Sequence, residues 1–251
     1  MAGPEPDIPV IRFDEGPSPR ARLGFVILAT DETSEVDLYR SSPRGVGLHF
    51  SRIESPGNVT AENLSRLMAG IGNTASRILP GSGVDVVSFH CTAGSLLLGE
   101  RAVQQRLAQA CPGALPTTTV SALSHAIEQM KINAFSLLTP YIDDINDAFV
   151  RHFSSQGFRI PRALGMQLRT DPEIARVSRD TIRAWAKEAD HEDAEALVIS
   201  CTGLRSAGLI AELEERLNKP VLTSNQVSLW HMLRKAGLND TIPRMGMLFS
   251  H

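Results

Sequence analysis

Apolar residues fall in strand-length blocks rich in β-branched side chains, with helix-like stretches between them. The blocks "LGFVILAT" (23–30), "VGLHFSRI" (46–53), "VDVVSFHC" (84–91) and "LPTTTV" (115–120) read as strands. The pattern then restarts with "INAFSLLT" (132–139), "IPRALGMQL" (160–168), "ALVISC" (196–201) and "PVLTS" (220–224). Helical patterns are predicted over Ala61–Leu79 and Leu96–Ala110, then over Ile142–Phe153, Pro172–Ala189, Ala207–Leu217 and Val227–Ala236. Nearly continuous apolar strands that alternate with helices argue for parallel sheets covered on both faces, an α/β class.

The restart reads as an internal duplication. Thr139 lies 109 residues after Thr30, and Cys201 lies 110 after Cys91. That period is too long for a solenoid, so two similar α/β domains related by pseudo-twofold symmetry are expected. Open parallel sheets hold ligands at the carboxyl ends of their strands. Both Cys-Thr pairs stand at such ends, so the symmetry would bring the two thiols to one cleft.

Composition narrows the classes further. A net charge of -3 and 5% aromatic residues leave no basic footprint for nucleic acid. No apolar stretch is long enough to span a membrane. The segment "MAGPEPDIPVIRFDEGPSPRAR" lacks the apolar core of a signal peptide, and its prolines suggest a loosely held arm over residues 1–21. Three cysteines without CxxC spacing suggest neither a disulfide framework nor a zinc knot. Reduced thiols in a cytoplasmic protein are expected, with homo-oligomer formation left open.

The chemistry concentrates on Cys91 and Cys201. A lone cysteine at a strand end is usually a small buried hydrophobe, and Cys111 keeps that reading. The other two are repeat-equivalent and followed by small residues, which favours a catalytic pair. An ordinary thiol with pKa near 8.5 is only about 3% ionised at pH 7, and a helix starting after each cysteine is expected to lower that pKa. "GIGNTA" (70–75) sits within a helical pattern and does not follow a strand, so it reads as packing. His90 should point away from Cys91 into the core. Tyr141 opens a helix just after a strand, where its hydroxyl can reach the cleft. Asp31 either caps the helix in "DETSEVDLY" or meets the ligand.

The segments "RLGFVILATDETSEVD", "DVVSFHCTAGS", "LLTPYIDDIN", "ISCTGLRS" and "KPVLTSNQVSLWHMLRKAG" resemble the aspartate/glutamate racemase superfamily, in its maleate isomerase and arylmalonate decarboxylase branch. Within that branch, the likeness is strongest to proteins encoded with ectoine-utilisation genes. The resemblance implies two four-stranded parallel-sheet domains, with a cofactor-free site between them and no metal. The last helix would return to the first domain, giving residues 22–121 plus 225–251 and residues 122–224. It implies Cys91 and Cys201 as the acid/base or nucleophile pair. Thr30, Asp31, Thr92, Ala93, Thr119, Tyr141, Asp171, Thr202 and Gly203 would contact a small carboxylate or amino-acid substrate. Aspartates at 31 and 171 replace the asparagines of maleate isomerases, and such a charge suits a substrate bearing an ammonium group. The expected activity is racemisation or cis–trans isomerisation. The rivals are an arylmalonate-type decarboxylase, which keeps only the second cysteine, and a non-catalytic sensor of small acids.

Overall fold

A computed structural model describes residues 10–55 and 60–250, so Pro4, Pro6 and Pro9 of the expected arm lie outside the described residues. The first half runs β1 (Ala21–Leu28), α1 (Ser34–Ser41), β2 (Val46–Ile53), α2 (Ala61–Arg66), α3 (Met68–Ala75), β3 (Val86–Phe89), α4 (Thr92–Leu98), α5 (Glu100–Ala110), β4 (Leu115–Thr118) and α6 (Thr119–Gln129). The second runs β5 (Phe135–Thr139), α7 (Asp143–Ser155), β6 (Ala163–Gly165), α8 (Asp171–Arg176), α9 (Arg179–Ala189), β7 (Ala196–Ile199), α10 (Ile210–Leu217), β8 (Val221–Thr223) and α11 (Ser224–Lys235). The strands form two four-stranded sheets in the orders β2-β1-β3-β4 and β6-β5-β7-β8, and every pairing is parallel. The same order occurs twice, as a duplicated α/β unit requires.

The central strands are buried along their whole length, as sheets covered on both faces must be. Edge strand β2 buries only Leu48 and Ile53 and leaves Arg52 exposed. Helix α11 leaves the second sheet and packs on α6, α1, β3 and β4 of the first half. Ten of its residues, Ser224 to Leu233, are buried, which an amphipathic surface helix would not show.

Several elements differ from the pattern reading. The predicted helix over 61–79 is two helices, α2 and α3. The one over 96–110 starts earlier, at Thr92, and breaks at Gly99, whose φ of 82° lies in the left-handed region that glycine tolerates. The strand predicted over 115–120 ends at Thr118, whose hydroxyl accepts from the Ser121 N–H and starts α6. That helix was not expected, and the divide anticipated between residues 121 and 122 falls inside it. The strand registers also revise the repeat. Leu23 lies beside Val86 as Phe135 lies beside Ala196, so the first strands match at an offset of 112 and Thr139 corresponds to Ile27, not Thr30. The offset of 110 holds for β3 and β7, and with them for the two cysteines.

Candidate active site

Every segment that lines the cavity between the two halves follows the carboxyl end of a strand. Leu28, Thr30, Asp31 and Glu32 come from the end of β1 and the turn after it, Ser55 follows β2, and Cys91 and Ala93 follow β3. The second half supplies Tyr141 after β5, Asp171 and Ala175 after β6, and Cys201, Thr202 and Gly203 after β7. The cavity measures about 30 Å³. It gathers nine of the eleven residues expected from the sequence. The two others, Thr92 and Thr119, do not line it. The Thr92 hydroxyl lies 3.0 Å from that of Ser224, and Thr119 is fully buried at the start of α6. Leu28, Glu32, Ser55, Leu64 and Ala175 also line the space, and no motif in the sequence marked them.

Both thiols are nearly sealed, Cys91 at 5% and Cys201 at 6% exposure. Cys91 caps α4, accepting the Gly94 N–H at its Sγ at 3.4 Å. Cys201 is followed by a turn, not an α-helix, yet it accepts the Gly203 N–H and the Tyr141 hydroxyl. These donors were expected to lower the thiol pKa values, and burial reverses that outcome. Desolvation pushes the Cys201 thiol up to about 12, with Asp171 and Asp31 adding to it against the two donors. Cys91 is raised further, by burial first and then by Asp171, Cys201 and Asp31. Burial also raises the Tyr141 phenol, so it acts as a donor.

Raised thiols make stability depend on pH. Unfolded thiols ionise near pH 8.5, so above that value the unfolded chain binds fewer protons than the folded one. Stability is then expected to fall with rising pH by about 1.4 kcal/mol per pH unit for each buried thiol. Urea unfolding between pH 8.5 and 10 checks this. Cys91→Ser or Cys201→Ser should flatten the slope by about that amount, and an unchanged slope would contradict it.

The loops that carry the thiols are fixed by one amide. Asn225, in α11, donates from Nδ2 to the Thr202 carbonyl and to Asp37 Oδ2, both at 3.0 Å. With both amide hydrogens given away, its Oδ1 is an acceptor, 3.0 Å from His90 Nε2. His90 therefore carries its proton on Nε2, and burial keeps the ring neutral. His90 is adjacent to Cys91 and Thr202 to Cys201, so a single side chain ties both thiol loops together. In a trans peptide the N–H points opposite to the C=O. Holding the Thr202 carbonyl on Asn225 thus aims the Gly203 N–H at the Cys201 sulfur. Thr33 Oγ1 adds a bond to the Gly203 carbonyl at 2.8 Å.

Asp31 supports the same loop from the other side. Its Oδ1 accepts the N–H groups of Thr33 and Ser34, both at 2.8 Å, and its Oδ2 accepts the Ser34 hydroxyl. These are cap bonds at the entry to α1. Asp31→Ala is expected to cost about 1–2 kcal/mol, read from urea midpoints, while Asp31→Asn, an equally good cap, should cost little. Asp171 differs. It is the first residue of α8, where a Thr170–Glu173 capping box already satisfies the helix end, and its Oδ2 accepts the Thr30 hydroxyl. Burial raises its pKa against that hydrogen bond, and Asp31 raises it further. Among the described residues, no three His, Cys, Asp or Glu side chains are grouped as a metal set.

A two-sheet α/β protein whose paired thiols share one cleft defines a class, and comparison with known proteins places the chain within it. The arylmalonate decarboxylase family model matches residues 48–249, and the chain belongs to that family. It is 31% identical over 190 residues to an arylmalonate decarboxylase of Bordetella bronchiseptica, covering 72% of this chain and 77% of that one. It is 24% identical over 245 residues to a maleate isomerase of Nocardia farcinica, covering 90% and 94%. Among solved structures, the maleate isomerase of Pseudomonas putida S16 with maleate superposes with a TM-score of 0.86 at 20% identity, over 92% of this chain and 97% of that one. A cysteine-to-serine variant of the N. farcinica enzyme, holding a covalently bound succinylcysteine intermediate, gives 0.84 at 22% identity, over 91% and 98%. At these identities the structural likeness shows the fold. No helix among the described residues is long and apolar enough to cross a membrane.

Proposed function

We propose that this chain is a cofactor-independent isomerase that works on a small carboxylic acid through Cys91 and Cys201. The observation that carries this reading is the pair of buried thiols lining one cavity, one from each half of a duplicated fold. In racemisation, the thiolate of one cysteine takes the proton from the carbon next to the carboxylate, whose oxygens receive the electron pair. The other thiol gives its proton to the opposite face, so the two cysteines exchange protonation states. In cis–trans isomerisation, the thiolate adds to the double bond and later leaves as the bond re-forms. Cys201 is the easier thiolate, because Tyr141 and the Gly203 N–H both donate to it. The N. farcinica relative named a maleate isomerase and trapped as a succinylcysteine adduct supports thiol chemistry of this kind.

The likeness to the B. bronchiseptica decarboxylase favours a second reading, loss of carbon dioxide from an arylmalonate. Cys91 counts against it, because that chemistry does not need a second thiol in the cavity. The expected division into residues 22–121 plus 225–251 and residues 122–224 is kept as a proposal for the return of the last helix to the first unit, with the divide moved from within α6 to beyond its end at Gln129. So is the nearer likeness to proteins encoded with ectoine-utilisation genes, which rests on the quoted segments.

Incubation of the purified protein in D2O with a panel of amino acids, hydroxy acids and unsaturated diacids, followed by NMR, tests the reading. It expects deuterium at the carbon beside the carboxylate, or cis–trans conversion, for at least one small acid. Release of carbon dioxide from phenylmalonate with neither of those reactions would replace it by the decarboxylase.

A further inference from the structure

We propose that the substrate of this cavity carries an ammonium group, which seats on Asp171, so that the acid is an amino acid and not a dicarboxylate. This rests on the two-thiol reading above and names its substrate class.

The charge of the lining carries the argument. Among the described residues, the ionisable side chains around the cavity are Asp31, Glu32, Asp171, Tyr141 and the two thiols, and no Lys, Arg or His lines it. A diacid would bring two further negative charges into a site with three carboxylates and no side-chain cation. Like charges at such distances are strongly unfavourable once water is largely excluded. An amino acid brings one negative charge and one positive charge, and the positive one has a place to go.

Asp171 is that place, and Asp31 is not. Both oxygens of Asp31 are used by the α1 cap. Asp171 is not needed as a helix cap, because Thr170 and Glu173 cap its helix. Its Oδ2 is held by the Thr30 hydroxyl across the cleft, and its Oδ1 has no protein partner among the described residues. The Thr30 bond, between residues 141 apart in the chain, fixes the carboxylate in the wall of the cavity that both thiols line. An oriented acceptor with an open oxygen, beside the reacting groups, suits an N⁺–H donor.

The same contact serves the chemistry. Asp171 and Asp31 both hold the thiols in the protonated form. A bound ammonium group offsets those charges, so a thiol gives up its proton more easily with the substrate in place than in the empty site. The empty enzyme is then resistant to thiol-directed reagents, and activation comes with binding.

The test uses the full chain in a Cys111→Ser background, which removes the one thiol outside the cavity. Binding of L-alanine, L-serine, maleate and succinate is measured by calorimetry for this protein and for its Asp171→Asn variant. Turnover of the same compounds is followed by deuterium exchange and by maleate–fumarate conversion. At least one amino acid is expected to bind better than either diacid, and Asp171→Asn should weaken it by about tenfold or more, as losing a charged hydrogen bond does. The variant should bind maleate better than its parent. If Asp171→Asn leaves the ranking unchanged, or if the parent binds maleate or succinate and no amino acid, the inference is overturned. Isomerisation of maleate without amino-acid binding would sink this inference and leave the two-thiol reading standing. Amino-acid binding that depends on Asp171, with no acid turned over, would do the reverse.

Discussion

Cys91→Ser and Cys201→Ser are each expected to lower turnover by about 10³-fold or more, while Cys111→Ser stays within about twofold of the parent. The two cavity thiols face the same space, and each hands a proton to the reacting carbon or takes one from it. A hydroxyl buried in the same place is a much weaker acid than the thiol, and its oxygen is a poorer nucleophile toward carbon. Cys111 lies after α5, where its thiol donates to the Ala75 carbonyl at 3.5 Å, a weak contact away from the cavity. Serine is close to cysteine in size, so the variants should fold. Circular dichroism and urea midpoints check folding, and the rate on the best substrate of the panel checks activity. If Cys91→Ser retains near-parental turnover while Cys201→Ser does not, one thiol suffices and decarboxylation becomes the better account.

Asn225→Ala should cost about 2–4 kcal/mol of stability and lower kcat more than it raises KM. The truncation leaves the Thr202 carbonyl with only a long bond of 3.5 Å from the Ser34 hydroxyl and strands the His90 Nε2–H in a dry interior, where an unpaired group costs about 1–3 kcal/mol. It also frees the peptide that aims the Gly203 N–H at Cys201, so the substrate still binds but meets a less well-oriented sulfur. Asn225→Asp is nearly the same shape and is expected to be worse. It would place a carboxylate about where Nδ2 now stands, 3.0 Å from Asp37 Oδ2 and from the Thr202 carbonyl, with no proton for either. Urea titrations and steady-state kinetics on the three proteins read this out. Variants within about 0.5 kcal/mol of the parent would show that the amide is a bystander.

The alternation of apolar blocks and helical stretches determined the α/β class, since period and β-branching report which backbone form buries its side chains. It also placed two cysteines after matching strands, and strand ends are where parallel sheets meet ligands. Cys91, Cys201, Tyr141 and Asp31 could therefore be singled out in advance, and the family resemblance supplied Thr30, Ala93, Asp171, Thr202 and Gly203. What failed were features in which the chain had two local choices and packing selected one of them. Residues 115–120, "LPTTTV", look like strand throughout, but the Thr118 hydroxyl caps a helix, and α6 then finds its apolar partner in α11, about a hundred residues on. Asp31 could equally have been a cap or a ligand group, and only the N–H groups of Thr33 and Ser34 at 2.8 Å decided for the cap. The direction of the thiol pKa shift was the largest reversal. Local sequence shows the donors beside each sulfur, which favour the thiolate. Tertiary structure supplied the depth of burial and the two carboxylates from β1 and α8, which outweigh those donors. The sequence by itself determined the folding units and the kind of chemical groups at their ends. Tertiary structure alone decided how dry those groups are and which charges they face, because desolvation and Coulomb energy depend on distances in space that chain periodicity does not encode.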